Sequence, residues 1–410
     1  MSTKALAGHG APTDPYRIFF PLGIVLGTAG VSVWLTYGLG LTAGFSGRAH
    51  AFVQIEGFLY AFIAGFLLTA VPRFTGTEPP SRTTQYLLAA AVAATSVGFE
   101  MEAFAFGHTL FLMVHATVIV LAIRRVRRRR HAPPEGFALV GFAMLAGAAG
   151  ALVNVAVAWG GMTPEWDLLG RRLLTEGMVL LLVLGVGGFL GPRLLGFAAL
   201  PDFQKLAAAS TEQRPSLFAR KRVAVYVASG VAIVLSVVFE YGFAIAVMAF
   251  MRAGVATLLI LATIRPWRLP AVRTTLAWCV WSAHWFLMAG LWLVALAPAY
   301  RVDLLHVVFM GGFTLLILAV AMRVVLSHGG HALSHERRSW PLRIGIATGL
   351  FALLARLGAT FAPESFFEHL AWASLLWIGG MVFWGMHIVQ FIRSQPRPSR
   401  TDEPRTAPGG

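Results

Sequence analysis

The feature that most constrains this chain of 410 residues is a series of apolar runs, each about 20 residues long, following one another from end to end. A helix rises 1.5 Å per residue, so about 20 such residues cross a hydrocarbon layer about 30 Å thick. Apolar side chains make up 57% of the chain and charged ones 12%. A water-soluble domain of this size could not cover its surface with so few charges. Spans are predicted at about 18–40, 51–72, 84–104, 107–123, 136–160, 173–195, 223–239, 242–264, 274–296, 304–325, 342–361 and 367–392. Their length and continuous apolarity select helices over a barrel, whose strands would be about 10 residues long and alternating. The expected fold class is an all-α polytopic membrane protein of about twelve transmembrane helices in a lipid bilayer. Its expected parts are a cytoplasmic N-terminal segment (1–17), a transmembrane domain (18–392) and a disordered cytoplasmic tail (393–410) rich in Pro, Arg, Ser and Gly. The polar opening indicates no cleaved signal peptide.

The net charge of +15 suggests nucleic acid until the 33 Lys and Arg residues are located. The termini and alternate loops carry 27 of them, including Arg124, Arg125, Arg127, Arg128, Arg129 and Arg130 after span four and Lys205, Arg214, Arg220, Lys221 and Arg222 after span six. The opposite loops carry only Arg48, Arg171, Arg172 and Arg301, while Arg252 and Arg356 fall inside spans. The positive-inside rule then places both termini in the cytoplasm and leaves no reason to invoke nucleic acid. The stretch from about Phe197 to Arg222, with Pro201 and Pro215, reads as a cytoplasmic linker. The lone Cys279 excludes intrachain disulfides, clusters held by several thiolates and a C-x-x-C-H haem attachment, so any metal must rest on His, carboxylate or Met.

Spans two and six match without a gap. Glu56, Gly57, Gly65, Pro72, Arg73 and Gly76 fall on Glu176, Gly177, Gly185, Pro192, Arg193 and Gly196, in the pattern E-G-x7-G-x6-P-R-x2-G. A weak third copy in span ten aligns His306 and Arg323 with Glu56 and Arg73. We expect three four-helix units, with spans two, six and ten in equivalent inner positions around a pseudo-threefold axis. Coincidence among Gly-rich apolar segments is the alternative.

Ionisable groups inside a bilayer are expensive, so each is a functional candidate unless it reaches water. His50, His108, His306 and His369 lie at the outer ends of spans two, four, ten and twelve, and His115 lies two turns deeper than His108. Seven residues are nearly two turns, so His108 and His115 share a face with about 10 Å between them, too far for one ordinary metal ion. His108 and His369 also suit a wet interface. Glu56, Glu100, Glu102, Glu176 and Glu240 belong to the same outer half, with Arg356 placed either to meet a haem propionate or to form a Glu and Arg pair that holds helices together. Arg252, near mid-membrane, requires a partner or a water-filled neighbour. His284 sits near the middle of span nine. His328, His331 and His335 follow span ten in a polar, Gly-containing loop, which suits solvent better than a metal.

These residues carry a resemblance. The stretch from Ile63 to Pro72, followed by Phe74-Thr75-Gly76, is similar to A-G-F-L-L-T-A-V-P-N-W-T-G of the NnrS proteins, membrane haem-copper proteins associated with the bacterial nitric oxide response. The run from His306 to His328 with Arg323 inside it is similar to that family's H-x16-R-x4-H, and Asp14-Pro15-Tyr16-Arg17-Ile18-Phe19-Phe20 resembles its opening. The resemblance extends from about Pro15 to Ile392. There are departures. The family's H-x-H-E-M reads His50-Ala51-Phe52-Val53-Gln54, its G-G-R reads Gly187-Gly188-Phe189, and a His expected in span nine is replaced by Trp281, with His284 one turn on.

The resemblance implies cofactor roles for His50, His306, Arg323 and His328, with haem b as the cofactor and copper as a second metal. Two imidazoles from facing helices suit six-coordinate haem iron, so His50 and His306 are the expected axial ligands, Arg356 a propionate partner, and His108, His115 and His284 further metal candidates. The expected function is a haem-binding protein of the nitric oxide or nitrosative stress response in the bacterial cytoplasmic membrane. Nitric oxide or another diatomic is its expected ligand, and its electron-transfer partner is unspecified. Span six contains no histidine, which argues against the binuclear centre of a terminal oxidase or reductase. A twelve-helix secondary transporter without a metal is the alternative, although the internal match has a period of four helices rather than six.

Overall fold

The structure, a computed structural model, describes residues 14–198 and 217–394. Most of the expected linker, most of the expected N-terminal segment and nearly all of the expected tail lie outside the described residues. Every regular element among the described residues is helical. The long helices are α1 (Tyr16–Gly38), α2 (Gly47–Thr75), α3 (Arg82–Glu100), α4 (Phe104–Arg127), α5 (Phe137–Ala158) and α6 (Trp166–Leu194), then α7 (Leu217–Phe243), α8 (Met248–Ile264), α9 (Thr275–Leu296), α10 (Pro298–His328), α11 (Trp340–Phe361) and α12 (Phe366–Arg393).

By length and composition, 10 of the described helices qualify as membrane spans, against the twelve expected. The other two are α8, short at 17 residues, and α3, which opens on Arg-Thr-Thr-Gln and closes on Glu100. Both ends of the described chain lie on one face. Arg17 at the start of α1 donates to the Ile392 carbonyl near the end of α12 (2.6 Å), and Asp14 pairs with Arg73 at the end of α2 (3.0 Å).

The helices are not equivalent in depth. Across their most apolar stretches, α2, α6 and α10 bury 78%, 67% and 67% of their residues, whereas the other spans bury 22% to 56%. Each of these three inner helices is interrupted by a π-helical segment, at Val53–Leu59, Leu173–Val179 and Val307–Thr314. Such segments widen the helix by one residue and are frequent at functional sites.

The matched motif of α2 and α6 has a structural meaning at each conserved point. Glu56 and Glu176 are buried within the π segments. A Cβ on Gly57 would come within 2.4 Å of Ser96 Oγ, so glycine lets α3 approach α2. At the far ends, Gly76 and Gly196 adopt left-handed φ values of 66° and 81°. The amides that follow them return to the carbonyls of Pro72 and Pro192 at 2.8 and 2.7 Å. This is the glycine-terminated helix end that satisfies otherwise orphaned carbonyls. In α10 the π segment begins one residue after His306, whereas in α2 it begins three residues before Glu56. The π segments therefore set α10 about one turn away from the register that Arg323 suggested, because a backbone bulge, not a single arginine, fixes which residues face inward.

Candidate cofactor site

His50 lies in the first turns of α2, whose start is capped by Ser46 Oγ accepting from the Ala49 amide (3.3 Å). Its Nδ1–H donates to the Gly30 carbonyl of α1 at 2.6 Å, and its ring stands edge-on to Trp34. His306 ends the first turns of α10 and donates its Nδ1–H to the Val302 carbonyl at 2.7 Å. A carbonyl can only accept, so these bonds fix both tautomers and leave each Nε2 with its lone pair available. Metal-bound histidines are oriented in the same way. His306 is within electrostatic range of His50, Arg356 and Arg172.

Arg356 of α11 pairs with Asp303 of α10 (2.7 Å), an aspartate and not one of the expected glutamates, and its Nη1 is buried without a partner. Beside it runs an ion network drawn from four helices. Arg252 of α8 reaches both Glu176 of α6 and Glu240 of α7 at 2.6 Å, Arg301 of α10 pairs with Glu240 and Tyr241, and Arg172 lies 3.5 Å from Glu176. The partner that Arg252 required is thus a pair of carboxylates. At the rim, Asp167 is shared by Arg48 (2.9 Å) and Arg171 (3.0 Å). Among the described residues the buried network joins Arg172, Arg252 and Arg301 to Glu176 and Glu240, the rim joins two arginines to Asp167, and Arg356 pairs one to one with Asp303.

The remaining candidates occupy separate places. His108 is wholly buried and donates Nδ1–H to Glu56 (3.1 Å), which Asn154 also contacts at 3.4 Å. Its Nε2 has no partner and sits among Phe52, Phe99 and Phe104. His115 commits both ring nitrogens, to the Tyr60 hydroxyl (3.1 Å) and the Met144 carbonyl (2.9 Å). His284 donates Nδ1–H to the Val280 carbonyl (2.7 Å) and lines a partly open cavity. His369 donates to the Ser365 carbonyl (2.9 Å), and Glu100 and Glu102 are exposed.

Arg323 and His328 do not join His50 and His306. They lie at the opposite end of α10, where Arg323 pairs with Glu336 at 2.8 Å and His328 packs near Tyr16. His331, His335 and His387 surround the Phe391 ring on that same side. Among the described residues no group of three or more His, Cys, Asp or Glu is arranged to hold a metal ion.

The pairings Glu56–His108 and Asp303–Arg356 are not readable from sequence, since they join helices 52 and 53 residues apart. The only advance signal is that every charge in a bilayer needs a partner. Comparison with curated proteins finds no match. A family model described as NnrS protein matches residues 13–397, nearly the whole chain, and the protein therefore belongs to the NnrS family.

Proposed function

We propose that this NnrS protein binds a b-type haem between His50 and His306 and serves the response to nitric oxide in the bacterial cytoplasmic membrane. The observation that carries the reading is the coincidence of two imidazoles holding Nε2 free and a neighbouring buried network in which three arginines meet two carboxylates. A haem carries two propionates, and the orphaned Nη1 of Arg356 supplies a buried donor for one of them. The residues present therefore fit the group. When bound, haem would supply an iron centre able to exchange electrons and take diatomic ligands. The chain's own contribution is to orient both rings through backbone carbonyls, neutralise the carboxylates and exclude lipid. Copper finds no such donor set among the described residues, and it forms no part of the proposal.

Optical spectra of the purified full-length protein test this. The expected result is a six-coordinate b-type Soret band, lost or converted to a five-coordinate form in His50→Ala and in His306→Ala, with Arg356→Leu weakening haem retention. Intact, folded His50→Ala and His306→Ala proteins that both keep the full spectrum would refute the ligand assignment. A folded, colourless wild-type protein would return the chain to the transporter reading.

A further inference from the structure

The three inner helices do not close against one another below their π segments. Between α2, α6 and α10, with α9 behind, lies a cavity of about 120 Å³. Leu59, Val179 and Phe313 of the three π-segment regions line it, and it extends down α6 as far as Leu194. All of the lining side chains are hydrocarbon except the imidazole of His284. Because His284 gives its Nδ1–H to the Val280 carbonyl, the ring turns Nε2 toward Gly187. A Cβ built on Gly187 would meet only that nitrogen, at 3.5 Å, so the glycine leaves space where another residue would have filled it.

An ordered buried water needs two to four polar partners, and this cavity supplies one. A charged or strongly polar molecule would lose its hydration with nothing to replace it. A dry apolar cavity of about 150 Å³ accepts benzene or xenon. We infer that the space between α2, α6 and α10 is a binding site for a small uncharged apolar molecule, of the size of a diatomic gas or a xenon atom. Such molecules dissolve in the hydrocarbon surrounding the protein, and the cavity begins at the three π segments. The inference does not depend on the haem reading, since filling the cavity requires no cofactor.

Xenon-pressurised crystals of the full-length protein provide the test through anomalous scattering. A xenon peak within van der Waals contact of Val183, His284 and Ile317 is expected. Gly187→Ala, whose new methyl meets an ordinary contact, should keep the peak at reduced occupancy, and Gly187→Leu should abolish it. Val183→Phe serves as a second filling variant if Gly187→Leu does not fold. His284→Phe, which keeps the wall and removes the lone pair, should retain the peak. Absence of xenon from the wild-type cavity, ordered water or a lipid chain in it, or a peak that survives both filling variants would overturn the inference. So would loss of the peak in folded His284→Phe alone, because the imidazole rather than the space would then make the site.

Discussion

Glu56 and Glu176 stand at the same point of the same motif, each in a π-helical segment and each withdrawn from solvent, yet they are neutralised differently. In the second half of the match the partner is Arg252, the fifth residue of α8. In the first it is His108, the fifth residue of α4. Each partner is thus the fifth residue of its own helix. Around Glu176 a fixed cation has drawn in a second carboxylate, Glu240, and a second arginine, Arg301, whereas around Glu56 there is one imidazole, one amide and a wall of phenylalanine rings. A guanidinium cannot shed its charge, so burying it demands anions. One backbone device thus supports a cluster of several arginines and carboxylates in one place and a single carboxyl–imidazole pair walled by hydrocarbon in another, and the arginine cluster is the one beside His306.

The largest effect expected from breaking this contrast is at Arg252. Arg252→Ala removes the guanidinium shared by two buried carboxylates, leaving Arg172 near Glu176 and Arg301 on Glu240, and loss of one partner of a buried ion pair costs about 3–5 kcal/mol. Thermal unfolding in detergent should show a large loss of folded protein, and near-wild-type stability would mean that water reaches the cluster. In Arg252→His the cation becomes titratable, and it is charged only when protonated. Stability of that variant should fall as pH rises from about 5 to about 8, with no matching slope in the wild type. A flat profile would show that the carboxylates do not need that charge.

His108→Ala should cost less, about 1–3 kcal/mol, since it removes chiefly one hydrogen bond to Glu56, which Asn154 still contacts. A loss equal to that of Arg252→Ala would show that the two glutamates depend on their partners alike. The smallest effect belongs to the rim. Arg48, 40% exposed, should lose under about 1 kcal/mol on replacement by Ala, because Arg171 still holds Asp167 and water screens the pair. A double-mutant cycle with Asp167→Asn measures that coupling.

How much of this was legible beforehand follows from how local each property is. The match between α2 and α6 was readable as a run of identical residues, whereas the left-handed ends at Gly76 and Gly196 are seen only in the structure. Arg252's need for a partner was equally readable, from its depth alone. Which carboxylates answered it was not, since Glu176 and Glu240 reach it only through the rotation of three separate helices. The candidate site divides in the same way. His50 and His306 were placed at one depth by counting residues, but their free Nε2 atoms depend on backbone carbonyls of α1 and α10. Arg323 and His328 were grouped with them by resemblance, and helix length separates them.

From sequence alone came the membrane setting, the helical class and the asymmetric charge, because spanning a hydrocarbon layer is a matter of length and apolarity that each segment satisfies on its own. Two of the twelve expected spans fell short of that measure: α8 is short and α3 has polar ends. Only the tertiary structure decided which helices are inner, where their π segments fall, which charges neutralise one another and where the core stays open. Those properties depend on how the helices turn toward one another, and in lipid that is set by close packing and by pairing of buried polar groups rather than by hydrophobicity, which every span already shares.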